Sequence, residues 1–426
     1  SQTLAYYRAR APEQLTFPQA DEAPGEPPVR FRKETLPLDL GIRARPEIAH
    51  LHWTRLAADE DAVLLACDMR HGQVAAIDLG SEERQSPRIL ARLRNPCRVE
   101  VCDLDDDGAT DLVVADLGSY LPADHDRGRV VLLKRRQDSR DYETIELATG
   151  LGRVADVRAA DLDGNGRLDL IVAEFGWHQT GGILWLRNVS PPGGPPRFEP
   201  VEIDDRPGAI HVPVHDFNGD GRPDFAALVS QQYETIDLFL NAGRARFTRD
   251  NLWAGPDLTF GSSGIELVDL NQDGATDVLY TNGDAFDNSY VSPWHGVGWL
   301  ENRGGLEFVH HRLTDLPGAY RALAEDFDRD GDQDVVVVAW LPPDVRPASV
   351  KASPPASIVF LEQTGPGAFS RHTLERGAPH YATLAIGDFD GDGDPDFAVA
   401  SGPNLGEARQ QAHSLTVWWN RTIARD

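Results

Sequence analysis

The stretch DLDDDGATDLVVAD, Asp103–Asp116, holds the pattern that decides the fold. Carboxylates stand at its first, third, fifth and ninth positions and a glycine at its sixth, and an apolar run follows at once. Five further copies occur: DLDGNGRLD (Asp161–Asp169), DFNGDGRPD (Asp216–Asp224), DLNQDGATD (Asp269–Asp277), DFDRDGDQD (Asp326–Asp334) and DFDGDGDPD (Asp388–Asp396). Their first aspartates are 58, 55, 53, 57 and 62 residues apart. A recurring period of this size marks a repeat architecture in which each period is one supersecondary unit.

The phrase reads as a calcium loop, because a hard cation of this size takes six to eight oxygens and carboxylates at alternate positions of a tight turn converge on one point. The side-chain ligand sets are Asp103, Asp105, Asp107 and Asp111; Asp161, Asp163, Asn165 and Asp169; Asp216, Asn218, Asp220 and Asp224; Asp269, Asn271, Asp273 and Asp277; Asp326, Asp328, Asp330 and Asp334; and Asp388, Asp390, Asp392 and Asp396. Six Ca²⁺ sites are therefore expected. Glycine at position six suits a backbone turning through positive φ, and position seven, which would offer only its carbonyl, varies freely. An EF-hand would place a glutamate at position twelve and run on into a helix, whereas LVVAD, LIVAE and VVVVAW are strand. Acidic turns without metal are the competing reading of any single copy. Six copies that all keep the ligand positions favour the metal.

Each period reads as strand, acidic loop, strand, variable loop, strand, short turn, strand. Third strands recur from Arg129, Gly182, Thr235, Gly296, Ser357 and Leu415, and fourth strands carry an aromatic, four residues and an aliphatic, as in Phe198 to Ile203. Four short antiparallel strands make a β-propeller blade. A degenerate blade precedes the first acidic loop, with strands at Leu51 to Leu56, Ala62 to Cys67, Gln73 to Asp78 and Arg88 to Leu93, and its turn at Asp59, Glu60 and Asp61 lacks the motif. The expected fold is an all-β, seven-bladed β-propeller with four-stranded blades. The last blade stops after its third strand, and the missing spacing appears in FRKETL, Phe31 to Leu36, so an N-terminal strand is expected to close the ring. Residues 1–28 read as an arm or tether and residues 29–426 as the propeller.

A formal charge of −27 over 426 residues excludes a basic nucleic-acid footprint. Six Ca²⁺ would bring it to about −15. No apolar run reaches the ~18 residues of a membrane helix. The three cysteines form no metal or haem motif. Cys67 and Cys97 are placed on neighbouring blades, which leaves a disulfide open, and Cys102 reads as a buried thiol. Asn188 and Asn420 match glycosylation acceptors. Calcium loops of modest affinity suit a secreted, periplasmic or surface-attached protein.

These loops and strands resemble the FG-GAP/VCBS repeat family, whose calcium-loop propellers include the head of integrin α subunits and many bacterial surface or exported proteins. The resemblance covers roughly residues 31–426. It implies the propeller fold and calcium, and it leaves the activity open, since such propellers serve as adhesion modules, lectin-like binders and scaffolds attached to enzymes.

Acidic loops lie on one face of such a ring and the long variable loops on the other, which is the expected ligand face. Five residues before each first motif aspartate, or its blade-one equivalent, stand His50, Arg98, Asp156, His211, Gly264, Arg321 and Thr383, with Arg153 and His380 three residues earlier in their blades. Arg98, Arg153, His211, Arg321 and His380 could together receive an anion; alternatively they pair with Asp156 or Glu47 and fill the channel. The loop Asn282 to Gly296 brings Asp284, Asp287, Tyr290, Trp294 and His295 near Trp177 and His178, a set suited to stacking on a sugar or to plugging a crevice between blades. No Ser/His/Asp spacing, G-x-S-x-G or H-E-x-x-H appears, so no catalytic residue is assigned. The expected role is a calcium-stabilised binding scaffold for a protein partner or a subunit of a surface or envelope assembly, with a glycan-binding lectin or lyase as the alternative.

Overall fold

The apolar run after each acidic loop is a strand with both faces covered. Asp111–Asp116, Asp224–Val229, Asp277–Asn282, Asp334–Ala339 and Asp396–Ser401 are buried at every position in the computed structural model. Strands packed between two sheets read as continuous Val, Leu and Ala rather than alternating. Outer strands are the opposite: Phe198–Asp204 and Phe247–Ala254 are mostly exposed. The structure describes residues 17–18, 20–42, 45–80, 86–137, 139–244, 246–286, 289–402 and 415–422.

The strands form seven antiparallel sheets, each ordered from an inner strand outward. Blade one holds Ile48–Arg55, Ala62–Asp68, Gln73–Ile77 and Arg88–Arg92; blade two begins at Pro96–Cys102, blade three at Val154–Ala160, blade five at Ser262–Val268, blade six at Ala319–Glu325 and blade seven at Tyr381–Gly387. Blade four differs, because its inner strand is split into Ala209–His211 and Val214–His215, both on Asp224–Val229. Pro213 lies at the break, where the chain lacks an N–H for the ladder, and its carbonyl instead accepts from Ala226 N–H at 3.0 Å.

Phe31–Leu36 pairs with Leu415–Asn420 in register from Phe31↔Asn420 to Leu36↔Leu415, so the N-terminal strand closes the ring as expected. Phe31 fits edge-on against Phe397 at 5.0 Å and Phe327 at 5.8 Å. Between each neighbouring pair of blades lies one apolar cluster; the cluster between blades seven and one joins Leu36, Leu64, Leu415 and Trp419. The ring therefore has no seam without a core.

Residues just before the closing strand are also engaged. Glu22 is bound by Arg371, by Arg376 at 2.6 Å and by Thr373 N–H at 3.1 Å, and Ala23 N–H donates to Arg371 carbonyl at 2.8 Å, all on the outer strand of blade six. Phe17 packs beside Val291, Leu341 and Val345. Within the N-terminal arm, Phe17, Glu22 and Ala23 thus lie against the propeller.

Candidate functional site

All six acidic loops share one backbone form. Position six is glycine at φ between 81° and 98°, and position four is also left-handed: Asp106 at 59°, Gly164 at 75°, Gly219 at 69°, Gln272 at 57°, Arg329 at 61° and Gly391 at 73°. The first aspartate folds back on the turn, its Oδ2 accepting the position-six N–H, for example Gly108 to Asp103 at 2.8 Å and Gly221 to Asp216 at 2.7 Å. The position-seven N–H donates to Oδ1 at position five in every copy, as in Arg167 to Asn165 at 2.9 Å and Asp394 to Asp392 at 3.0 Å. Alternate side-chain oxygens are thereby aimed at one point.

In four loops three carboxylate oxygens gather within 4.8 Å: Asp103, Asp105 and Asp111; Asp161, Asp163 and Asp169; Asp326, Asp328 and Asp330; Asp388, Asp390 and Asp396. In the other two sets the third position is an asparagine, Asn218 or Asn271, where each of the four gathered triplets has an aspartate. Asp326 Oδ1 and Asp388 Oδ1 are buried with no hydrogen-bond donor. Basic side chains reach other ligand positions, Lys134 at Asp105 and Asp107, and Arg421 at Asp390 and Asp392 at 2.8 Å each. Converging hard oxygens, two of them buried without a donor, and cations drawn to the same carboxylates fit a divalent cation.

The ninth aspartate, read from the sequence as the residue that closes the site, also has a second task. It is fully buried, and its Oδ1 accepts the N–H at the end of the third strand: Arg135 to Asp111 at 2.8 Å, Asn188 to Asp169 at 2.6 Å, Asn241 to Asp224 at 2.7 Å, Asn302 to Asp277 at 2.7 Å, Gln363 to Asp334 at 2.9 Å and Asn420 to Asp396 at 2.7 Å. Burial first, and the neighbouring loop carboxylates second, push Asp111 and Asp169 up to about 6, Asp396 to about 7 and Asp334 to about 8. The residue that ends the third strand then reaches the preceding blade's loop: Asn241 Nδ2 to Leu162 carbonyl at 2.8 Å, Gln363 Nε2 to Leu270 at 3.0 Å, Asn420 Nδ2 to Phe327 at 2.9 Å and, in blade two, Arg135 to Leu56 at 2.7 Å. Sequence reading missed these bridges, although the recurring terminal Asn or Gln was visible. Asn188 and Asn420 are 4% and 0% exposed, with their amides donated to the Leu168 and Phe327 carbonyls, so neither is presented as a glycan acceptor.

On the opposite face, a cleft of about 750 Å³ opens between blades four and five, lined by Trp177, His178, Glu234, Asp257, Leu258, Asp284, Phe286, Tyr290 and Trp294. Trp294 and Tyr290 are each 51% exposed and Leu258 64%, so Trp294 faces the cleft instead of plugging a crevice. Trp177 stacks on His178 at 4.1 Å, and the Asp124 carboxylate holds this loop through the N–H groups of His178, Gln179 and Thr180 at 2.9–3.0 Å. His295 does not join the cleft: it is 2% exposed, pushed down to about 3 by burial and by Arg312, and its carbonyl accepts from Arg312 at 2.8 Å. Asp287 lies outside the described residues. Glu234 and Asp257, which the sequence reading passed over, come from a short loop and a blade linker that show no motif.

Two family models, described as FG-GAP-like repeat and FG-GAP repeat, match residues 86–172 with 216–280 and residues 380–418. The chain carries FG-GAP repeats. A crystal structure described as BBS1N in complex with ARL6DN, soaked with mercury, contains a chain that is 10% identical and superposes with a TM-score of 0.53, covering 92% of this chain and 96% of its own. That likeness is one of fold. No curated protein matches the chain. FG-GAP propellers are often interaction scaffolds, and their repeats often bind calcium.

The channel of this FG-GAP propeller follows from one regular irregularity. Every inner strand has a bulge immediately before His50, Arg98, Asp156, His211, Gly264, Arg321 or Thr383, which gives these seven residues equivalent registers on the second strands. Arg98, His211 and Arg321 line one cavity of about 470 Å³ with His50. Arg98 contacts Asp156 at 2.8 Å and Arg321 contacts Glu266 at 2.5 Å, so carboxylates of the same ring accompany both cations. Arg153 and His380 are not among the residues lining it; Arg153 lies over Phe175 at 5.4 Å, and His380 stacks on Tyr381 at 4.5 Å. Cys67, Cys97 and Cys102 are free thiols, with Cys97 Sγ donating to Val154 carbonyl at 3.2 Å, so no Cys67–Cys97 bridge is present.

Proposed function

We propose that this chain is an exported, calcium-stabilised propeller that holds a macromolecular partner on its loop-rich face. The observation that carries the reading is the contrast in surface: among the described residues, four of the five large exposed apolar side chains, Leu121, Leu258, Tyr290 and Trp294, stand on that face, and the last three line its cleft. Scattered exposed apolar residues are ordinary, but a concentration around one concavity marks an interaction site. The acidic loops support the fold from the opposite side, and all-oxygen loops of this kind saturate at extracellular calcium levels. No helix among the described residues is long and apolar enough to cross a membrane. The same aromatic cleft would suit a glycan, which is the second reading.

Chemical crosslinking in the native envelope, followed by purification of the tagged full chain in calcium, tests the proposal. A stoichiometric protein partner whose crosslinks map to Leu121, Leu258 or Trp294 is expected. Crosslinks confined to the calcium-loop face, or selective retention by a neutral glycan array with no protein bound, would overturn it.

A further inference from the structure

On the loop-rich face the propeller repeatedly lays a guanidinium on an aromatic ring. Arg70 lies over Tyr120 at 5.2 Å, Arg153 over Phe175 at 5.4 Å, Arg206 over Tyr233 at 5.3 Å and Arg346 over Tyr290 at 5.9 Å. Two of these cations are also held by carboxylates, Arg70 by Glu47 at 2.5 Å and Arg206 by Asp204 at 2.9 Å and Asp237 at 2.6 Å. Ring, carboxylate and guanidinium thus form a recurrent three-part unit.

The cleft between blades four and five holds two parts of that unit. Trp294 and Trp177 supply ring faces, and Glu234 and Asp257 supply carboxylates, while no lysine or arginine is among the described residues lining it. Neither Glu234 nor Asp257 has an ion-pair partner among the described residues. Glu234 is 4% exposed, and its Oε2 accepts the Ser262 N–H at 2.9 Å. Elsewhere on this face buried carboxylates do have cations, as Asp116 has Arg129 and Asp204 has Arg206.

We propose that this cleft receives an arginine or lysine side chain of a protein partner, stacked on Trp294 and Trp177 and neutralised by Glu234 and Asp257. The proposal rests on the scaffold reading and names the chemistry of its partner. A cation over an indole face is attracted by the ring quadrupole, and more strongly where the site is partly dehydrated. Burial first, helped by the Asp284 charge, pushes Glu234 up to about 7, the condition that an incoming cation would relieve. A neutral sugar could use the rings and donate hydroxyls to the carboxylates, but it would bring no opposite charge to the acidic pair.

The test is titration of the full chain, in saturating calcium, with a short tri-arginine peptide and its citrulline counterpart, read by tryptophan fluorescence and calorimetry. Saturable binding of the arginine peptide is expected, with at least tenfold weaker binding of the citrulline peptide and of the Trp294→Ala and Asp257→Asn variants. Trp294→Ala keeps the net charge, so unchanged affinity in that variant would show diffuse attraction to an acidic protein and overturn the proposal. Equal binding of citrulline, binding of neutral oligosaccharides instead, or binding seen only after residues 1–16 are removed would each overturn it too. A native partner retained at full strength by Trp294→Ala would leave the scaffold reading standing and remove this one. Peptide binding with no native partner found would do the reverse.

Discussion

The two faces of the propeller are built on different rules. On one, six loops repeat the same dihedral angles and the same hydrogen bonds around converging carboxylates. On the other, the connections range from the short turn between Asp68 and Gln73 to the long loop between Ala339 and Ala356 without a repeated motif, and Trp177, Glu234, Asp257 and Trp294 meet from four separate segments. The repeated face holds the ring together, through the ninth aspartates and the Asn, Gln or Arg bridges to the preceding blade. Because that face fixes the scaffold, the other is free to vary in length and chemistry, the usual location of recognition.

Ring closure gives the largest test of this division. Deleting residues 1–38 removes the outer strand of blade seven and exposes Trp418 and Trp419. Losing the burial of Val29, Phe31 and Leu36 costs about 1.5–3 kcal/mol each, which approaches the whole stability of a marginal domain, about 5–15 kcal/mol. The truncated chain is expected to aggregate or melt without a cooperative transition. Deleting residues 1–28 should cost less, because it removes the contacts of Glu22 and Phe17 and leaves the strand. Equal melting curves for the two truncations would show that strand closure is not what holds the ring.

Removing metal comes next. Each calcium bound at a hundred times its dissociation constant contributes about 2.7 kcal/mol, and an empty loop keeps carboxylates that repel one another by about 4 kcal/mol per close pair at an effective dielectric of 20. A chelator should lower the melting temperature substantially, and metal analysis should return between four ions, the number of loops in which three carboxylates gather, and six. An unchanged melting temperature, or fewer than four ions, would break the comparison, because the repeated face would then stabilise nothing through metal.

What the sequence made legible follows the same division. Blade number, the closing strand and the equal heights of His50, Arg98 and Arg321 were readable because the acidic phrase recurs and offsets from it transfer between blades. The split inner strand of blade four was signalled only by Pro213. The backbone task of Asp169 was hidden, since a candidate metal ligand and a backbone acceptor are written with the same letter. Glu234 and Asp257 were illegible for a deeper reason: their partners in the cleft come from other blades, at separations that no periodicity announces. His295 misled by its neighbours, its place in the loop Asn282 to Gly296 suggesting exposure where Arg312 and burial hold it inside.

Two substitutions within one loop separate metal binding from architecture. Asp163→Asn removes a ligand charge at the partly exposed third position, whereas Asp169→Asn sets a side-chain amide at a buried oxygen position that accepts the Asn188 N–H. Both should lower calcium stoichiometry by one. Only Asp169→Asn should also destabilise the metal-free protein, by about 1–3 kcal/mol, the cost of disturbing a buried acceptor. Chelated samples of the two variants with coincident denaturation curves would confine the ninth aspartate to metal binding.

The smallest effect is expected in the channel, which belongs to neither face. Burial first, then Arg98, holds His50 and His211 well below the ordinary histidine range, with Arg321 and His52 adding to the effect at His50. The folded ring therefore resists protons that the unfolded chain accepts near pH 6.5. Stability from these groups is fully present above that value and is lost as pH falls through it toward the folded-state pKa, by at most about 1.4 kcal/mol per histidine for each unit. Because the acidic loops titrate as well, the informative quantity is a difference between proteins. In saturating calcium, a His50→Gln, His211→Gln variant should lose less stability than the parent between pH 7.5 and 5.5, by about 1–2 kcal/mol on the same scale. Parallel curves for the two proteins would mean that the channel histidines take up protons in place, with Asp156 and Glu266 offsetting the charge of Arg98 and Arg321 well enough to admit another cation.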